Sequence, residues 1–336
     1  MRAFICGVSG QVLTPAETTF LAAQDPWGVI LFARNIDMPD QVRALVEAIR
    51  GALGRPDAPI LIDQEGGRVQ RLRSPHWREY PTAASLAEIF RQSAPDGLKA
   101  VALQSRLIAE ELHDLGINID CLPVLDVDTP KTHEIISSRT FGPDPAHVAA
   151  LGRAAAGGLL GGGCLPVIKH IPGHGRGTAD SHLSLPVVEC GRNELKNRDF
   201  APFKALASLP IAMTAHVLYT SLDKEKPATL SKRIITEVIR DFIGFDGLLL
   251  TDDLSMKALD DTLGNLTAQS IAAGCDIALH CNGDMAEMTE VAANAPELSG
   301  KALVRATLAL KRLVPPESFD VAAAVAEFES LTGHKV

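Results

Sequence analysis

The sequence holds no long uninterrupted apolar segment. The uncharged stretch at residues 154–168 is rich in glycine, and it is shorter than the ~20 apolar residues that a membrane helix needs. The N-terminal residues, MRAFICGVSGQVL, also lack the sustained apolar core of a secretory signal peptide. The sequence therefore predicts a protein without a membrane span or an export signal.

Clusters of basic residues are missing as well. The chain has 32 Lys and Arg against 41 Asp and Glu, so its formal net charge is −9. A nucleic-acid-binding domain is usually basic along one face, and an acidic chain is poorly suited to an anionic membrane surface. We therefore expect neither nucleic acid nor a membrane as a partner.

The six cysteines form no CxxC pair, so neither a zinc ribbon nor a thioredoxin-like site is indicated. Several of them stand beside apolar runs, where a free thiol acts as a small buried hydrophobe. Reduced thiols without an export signal predict the cytoplasm. The Gly66-Gly67 pair lacks the GxxxxGK[ST] pattern of a phosphate loop, and we expect a monomer without a cofactor.

Apolar runs recur along the whole chain. Eight of them, rich in Val, Ile and Leu, span residues 4–10, 27–35, 58–66, 117–128, 164–170, 209–219, 247–255 and 275–282. Such continuous runs suit strands that are buried on both faces of a parallel sheet. Alternation with helices predicts a (β/α)₈ TIM-type barrel, although a doubly wound open sheet would alternate in the same way. With no repeat or linker, we expect one catalytic domain over residues 1–336, ending in a helix and tail at about 316–336.

Helix signals separate the runs. Thr14 and Glu17 have the spacing of a capping box, which marks the start of a helix. Residues 39–53 and 98–115 show apolar residues at helical spacing, and residues 253–273 do so after the seventh run. Each interval is therefore predicted to return the chain along the outside of the sheet.

Polar residues end most of the runs. They are Arg34, Asn35, Asp63, Gln64, Glu65, Asp126, Asp128, Lys169, His170, His216, Thr251, Asp252, Asp253, His280 and Asn282. The C-terminal ends of barrel strands carry the chemistry of this fold, so these side chains would surround a mouth suited to a polar, neutral ligand rich in hydroxyls. Strands also end in polar residues simply because they end at water. The Lys169-His170 and Asp252-Asp253 pairs follow strongly apolar runs, which favours a functional role for them.

The two adjacent aspartates are expected to differ in role. Asp252 follows three leucines, so its carboxylate would be fixed at a rigid strand end, as precise chemistry requires. Asp253 should point elsewhere and is expected to cap the following helix. Spacing alone also allows the reverse assignment.

The segment VIKHIPGHGRGTADSHLSLP, residues 167–186, combines glycines with titratable side chains. Asp180 and His182 are two apart, so in extended backbone the carboxylate would orient the imidazole and raise its pKa. Histidine is well suited to proton transfer near neutral pH, and a glycine-rich loop could close over the mouth as a lid. The same residues allow a metal site from His170, His174, His182 and an aspartate, without any HxH or HExxH spacing, or a loop whose histidines only satisfy backbone carbonyls.

Four motifs, in order along the chain, carry a resemblance to a known family. They are LIDQEGGRVQRL (61–72), SSRTFG (137–142), IKHIPGHGRGTADSH (168–182) and FDGLLLTDDLSM (245–256). The chain resembles the bacterial cytoplasmic β-N-acetylglucosaminidases of glycoside hydrolase family 3. With the barrel pattern, the resemblance covers nearly the whole chain.

The resemblance implies a retaining glycosidase. Asp252 would be the nucleophile that forms a covalent glycosyl-enzyme, and His182 the acid/base, oriented by Asp180. The residues implied to hold the N-acetylglucosamine ring are Asp63, Arg71, Arg139, Lys169 and His170. The implied substrate is N-acetylglucosamine linked β-1,4 to 1,6-anhydro-N-acetylmuramic acid, with or without peptide, in peptidoglycan recycling, and no metal is implied.

An imidazole acid/base departs from the two carboxylates of most retaining glycosidases. Many wider relatives take this group from a second α/β domain, and since there is no room for one after residue 315, we expect the barrel to supply it. Four alternatives stay open: attack by the substrate's own amide beside Asp252-Asp253, transfer to phosphate instead of water, metal-dependent hydrolysis, and sugar binding without catalysis.

Overall fold

The computed structural model describes residues 1–130, 132, 134–177 and 184–336. Within them, eight parallel strands close into one barrel. The strands are β1 (Arg2–Cys6), β2 (Pro26–Leu31), β3 (Ile60–Ile62), β4 (Ile119–Asp120), β5 (Leu165–Ile171), β6 (Ile211–Thr214), β7 (Leu248–Asp253) and β8 (Ile277–His280). They follow one another in chain order, and β1 pairs with both β2 and β8. The predicted (β/α)₈ barrel is confirmed, and the open doubly wound sheet is excluded.

The strands are largely apolar because both of their faces are buried. Successive residues of a strand point to opposite faces. Ile5 and Leu250 therefore pack inside the barrel, whereas Phe4 and Leu249 pack outwards against the helices. The continuous apolar runs of the sequence reflect these two layers.

Helices return the chain between successive strands. They are α1 (Pro15–Gln24), α2 (Pro39–Leu53), α3 (Ala83–Gln92), α4 (Ala94–Asp114), α5 (Glu134–Ser137), α6 (Pro145–Gly161), α7 (Arg192–Asn197), α8 (Ala201–Ala205), α9 (Leu263–Ala273), α10 (Met285–Asn294), α11 (Gly300–Leu310) and α12 (Val321–Thr332), with a π-helix at Ile234–Ile243 before β7. Thr14 and Glu17 form the predicted capping box at α1. The prediction of a helix at residues 39–53 is also confirmed.

The helix after β7 begins later than predicted. Residues 254–262 form turns and bends without a helix, and α9 starts at Leu263, where Oγ1 of Thr262 accepts a hydrogen bond from the Asn265 backbone at 3.2 Å. The expectation that Asp253 caps this helix is therefore wrong. Its carboxylate instead accepts hydrogen bonds from the Ser255 hydroxyl and from the backbone N–H of Cys281.

The C-terminal helix α12 packs against the barrel through aromatic contacts. Phe328 is fully buried, and its ring centroid lies 6.4 Å from that of Tyr80. Before the helix, the ring of Phe319 lies under the guanidinium of Arg106, at 4.2 Å. No helix in the described part of the chain is both long and apolar enough to span a membrane.

Candidate active site

A cavity of about 150 Å³ lies at the carboxyl ends of the barrel strands. Its polar lining consists of Asp63, Arg71, Arg139, Lys169, His170, His174, Asp252 and Asp253. Apolar side chains, among them Ile30, Met213 and Leu279, complete it. The cavity thus offers many hydrogen-bonding groups on a small apolar frame, as ligand sites commonly do.

A hairpin after β3 brings two of these residues together. Its strands, Gln64–Gly66 and Val69–Gln70, pair antiparallel. Gly66 and Gly67 both have positive φ, at 97° and 57°, which glycine adopts without steric cost. The chain reverses there, so Asp63 and Arg71 face each other, with Nη2 of Arg71 donating to Oδ2 of Asp63 at 3.0 Å. The Gly66-Gly67 pair therefore has a turn-forming role.

Five charged side chains form an ion-pair network that we call the charged wall. Asp63, Arg71, Arg139 and Lys169 line the cavity, and Glu65 pairs with Arg139 and Lys169 from outside the lining. Lys169 donates to Oδ1 of Asp63 at 2.8 Å and lies 2.6 Å from Oε1 of Glu65. Nε and Nη2 of Arg139 donate to the two oxygens of Glu65 at 2.8 and 2.7 Å. Cations and anions alternate along the wall, so every charge has a neighbour of opposite sign.

Mutual neutralisation keeps the charged wall ionised although it is buried. Burial alone would raise the pKa values of Asp63 and Glu65, but the adjacent Lys169 and Arg139 bring both below their usual range. Burial alone would lower the pKa of Lys169, and the two carboxylates raise it instead. All of these groups therefore carry charge at neutral pH.

The charged wall retains hydrogen-bonding capacity towards the cavity. An ammonium has three N–H donors and a guanidinium has five. Lys169 contacts two carboxylates, and Arg139 gives two donors to Glu65. Donors on both cations are left for the hydroxyls of a ligand. The guanidinium of Arg71 lies over the ring of Phe32, with its carbon 5.2 Å from the ring centroid.

A second group of residues, which we call the histidine wall, comprises His170, His174 and Asp252, which line the cavity, and Asp126, which lies outside the lining. Oδ2 of Asp126 lies 2.7 Å from Nδ1 of His170. Oδ1 of Asp126 accepts the backbone N–H of His174 at 2.6 Å. One buried carboxylate thus holds the imidazole of His170 and the backbone of His174.

Asp252 ends β7 beside these imidazoles. Burial on its own would raise the pKa of Asp252, but His170, His216, the backbone N–H of Asp253 and Lys169 together outweigh burial and hold this pKa below the usual value. Oδ1 of Asp252 accepts the backbone N–H of Asp253 at 2.8 Å. An ionised carboxylate on a strand end therefore lines the cavity.

Asp253 is held by other contacts. Its Oδ2 accepts from the Ser255 hydroxyl at 2.7 Å, and its Oδ1 accepts the backbone N–H of Cys281 at 3.2 Å. Its backbone carbonyl accepts from Nε2 of His216 at 2.9 Å. These contacts fix the turn after β7, whereas the Asp252 side chain stays directed to the cavity.

His174 has no hydrogen-bond partner on either ring nitrogen among the described residues. The side chain is 1% exposed, and its ring centroid lies 5.7 Å from that of His170. Burial lowers the pKa of His174 to about 4, so the ring is neutral at pH 7. A buried polar group without a partner is rare in folded proteins.

The structure brings six of the eight predicted site residues into one cavity: Asp63, Arg71, Arg139, Lys169, His170 and Asp252. Asp180 and His182 lie outside the described residues. The sequence marks Glu65 and Asp126 only as polar strand ends and predicts no role for them. Their positions after the third and fourth strands indicate that they lie near the mouth of the barrel. Their partners, Arg139 and His170, are remote in sequence, so the contacts cannot be predicted from spacing.

Residues 13–309 match the family described as Glycosyl hydrolase family 3 N terminal domain. The chain belongs to glycoside hydrolase family 3. A β-hexosaminidase of Alkalilimnicola ehrlichii is 39% identical over 280 residues, covering 82% of this chain and 79% of the relative. Family membership, expected from the four motifs, is confirmed, and the protein is an enzyme of the glycoside hydrolase type.

Solved structures of this family share the fold. NagZ from Neisseria gonorrhoeae in complex with N-trifluoroacetyl-D-glucosamine has a TM-score of 0.88 at 30% identity, covering 99% of this chain and 97% of that chain. NagZ from the same organism in complex with zinc ion has a TM-score of 0.85 at 29% identity, covering 99% and 96%. In the described part of this chain, no three His, Cys, Asp or Glu side chains are grouped as metal ligands.

Proposed function

We propose that this glycoside hydrolase is a retaining, exo-acting β-N-acetylglucosaminidase. The observation that carries the proposal is the ionised Asp252 carboxylate, which lines a cavity of about 150 Å³ together with four residues of the charged wall. The β-hexosaminidase relative and the neighbour that holds an N-acylated glucosamine support this substrate class.

In the first step of the proposed reaction, an oxygen of Asp252 attacks the anomeric carbon. The bond to the leaving-group oxygen breaks, and that oxygen takes a proton from the acid/base. Water then attacks the anomeric carbon of the glycosyl-enzyme, the bond to the Asp252 oxygen breaks, and the water gives a proton back to the same group, so configuration is retained. The acid/base is His182, oriented by Asp180.

The charged wall holds the sugar in this proposal. Asp63 and Glu65 use part of the hydrogen-bonding capacity of Lys169 and Arg139, which leaves oriented donors for adjacent hydroxyls. A fixed array of this kind positions the anomeric carbon over Asp252 without reorganisation during the reaction.

Attack by the substrate's own amide is less well supported. That route needs a carboxylate free to polarise the amide. The carboxylate of Asp253 already accepts hydrogen bonds from Ser255 and Cys281. Direct attack by Asp252 requires no such group.

The natural substrate proposed is the cell-wall disaccharide of N-acetylglucosamine and 1,6-anhydro-N-acetylmuramic acid, with or without peptide, cleaved by a monomer in the cytoplasm. Release of N-acetylglucosamine from this disaccharide, measured against chitobiose, tests the preference. Equal turnover of the two substrates would refute the preference for the cell-wall disaccharide and would support only a general β-N-acetylglucosaminidase activity.

Trapping the covalent intermediate tests the mechanism. A 5-fluoro-N-acetylglucosaminyl fluoride should inactivate the enzyme, and mass spectrometry of its peptides should place the sugar on Asp252. Label on another residue would overturn the assignment. Turnover should survive exhaustive chelation and should not rise with phosphate, and the opposite results would favour the metal-dependent or phosphorolytic alternatives.

A further inference from the structure

A carboxylate–imidazole pair lies within the described part of the barrel, with only its imidazole in the cavity lining. Asp126 is fully buried and lies 2.7 Å from Nδ1 of His170 through Oδ2. Its Oδ1 accepts two backbone N–H groups, from His170 at 3.2 Å and from His174 at 2.6 Å. A single carboxylate therefore fixes the ring of His170 and the backbone of the segment that carries both histidines.

This contact decides which nitrogen of His170 carries hydrogen. Burial alone would raise the pKa of Asp126, but His170 outweighs it and brings the pKa below its usual value. An ionised carboxylate only accepts hydrogen bonds, so Nδ1 of His170 must be the donor. His170 itself lines the cavity, and no described residue hydrogen-bonds its Nε2.

We propose that Asp126 is a positioning residue of the reaction: it keeps Nδ1 of His170 protonated and Nε2 turned to the sugar, beside Asp252. The inference rests on the proposed function, because a bound sugar would complete the hydrogen bonding of Nε2. Asp126 is not part of the cavity lining, so it acts through His170. At metal sites, loss of a carboxylate that orients a ligating histidine typically costs about 10–100-fold in affinity or activity, and we expect a similar cost here.

Asp126→Asn is the central variant. The amide keeps the size of the side chain but can donate to Nδ1, which would move the imidazole proton to Nε2. We expect kcat/KM for aryl N-acetyl-β-glucosaminides to fall roughly 10–100-fold per folded enzyme. The loss should be equal for good and poor leaving groups, because His170 contacts the sugar. A loss confined to poor leaving groups would place the residue with the acid/base instead and overturn the proposal.

Asp276→Asn is the matched control. Asp276 is a buried carboxylate at the opposite end of the barrel, where it accepts the Leu249 backbone N–H at 2.9 Å. It also accepts from Arg240 at 2.8 Å and from Arg305 at 3.1 Å. We expect this variant to lose stability but to keep its kinetic constants per folded enzyme. Equal kinetic losses in both variants would show that Asp126 is only structural.

A ¹H–¹⁵N spectrum of the histidine side chains tests the tautomer directly. The His170 signals are assigned by their loss in His170→Gln. We expect Nδ1 to carry hydrogen in the unaltered protein at pH 7, and the pattern to change in Asp126→Asn. An unprotonated Nδ1 in the unaltered protein would overturn the proposal even if Asp126→Asn did not fold. Failure of the unaltered enzyme to cleave any N-acetyl-β-glucosaminide would instead refute the proposed function.

Discussion

The two walls of the cavity are stabilised in different ways. The charged wall alternates cations and anions, with Lys169 in contact with both Asp63 and Glu65. The histidine wall depends on one carboxylate, Asp126, and contains a neutral imidazole, His174, that has no hydrogen-bond partner among the described residues. Removing a charge from the first wall leaves buried opposite charges unbalanced, whereas removing the His174 imidazole leaves no described group without its partner.

Because of this difference, substitutions in the charged wall and in the histidine wall should cost different amounts of folding free energy. Buried ion pairs add little net stability, but breaking one is expensive because the remaining charge is desolvated. A buried neutral imidazole that finds no hydrogen-bond partner in the described part of the chain costs free energy in the resting protein. The charged wall is therefore expected to be sensitive to substitution, and His174 to be tolerant of it at neutral pH.

Lys169→Met should have the largest effect. Asp63 and Glu65 would each lose a cationic neighbour while they stay buried. We expect a loss of about 3–5 kcal/mol in the free energy of unfolding, measured by urea denaturation, together with loss of turnover. Lys257→Met is the control, because Lys257 is exposed and a surface change of this kind is usually within about 0.5 kcal/mol. Similar losses in both would contradict the account of the charged wall.

His174→Phe should change the pH dependence of stability. The folded pKa of His174 is about 4, against about 6.5 in an unfolded chain. As pH falls below 6.5 the unfolded state takes up the proton first, so the stability due to the neutral ring is complete above pH 6.5 and is lost down to pH 4. The wild type should lose about 2 kcal/mol more than the variant between pH 7 and pH 5.

Urea denaturation at several pH values measures this difference. His147→Phe is the control, since His147 lies on α6 and its side chain is 44% exposed. It should keep the pH dependence of the wild type. If His174→Phe also kept it, the imidazole would not be neutral and buried as described.

The sequence predicts the barrel and most of the cavity because both follow from one pattern, apolar runs that end in polar residues. Strands buried on two faces read as apolar runs, and the residues at their carboxyl ends meet at one mouth. Asp63, Lys169, His170 and Asp252 follow directly from this rule and lie together in the structure. Arg71 and Arg139 come from loops, and only the family resemblance indicated them.

The partners Glu65 and Asp126 could not be predicted because barrel closure brings them to their contacts. Glu65 and Arg139 are separated by 74 residues, and Asp126 and His170 by 44. No local spacing encodes either pair. The wrong helix cap at Asp253 has a similar cause, because the backbone of Cys281, after β8, takes one of its oxygens.

Asp253→Asn should have the smallest effect, and it separates the two adjacent aspartates. An asparagine keeps one oxygen for the backbone N–H groups of Ser255 and Cys281 but loses the acceptor for the Ser255 hydroxyl. We expect a loss of about 1 kcal/mol in the free energy of unfolding, with fluorosugar labelling of Asp252 retained. Asp252→Asn should abolish labelling and lower kcat on the order of 10⁴-fold or more. If the two variants exchanged these outcomes, Asp253 would be the nucleophile, and Asp252 would be the residue that fixes the turn.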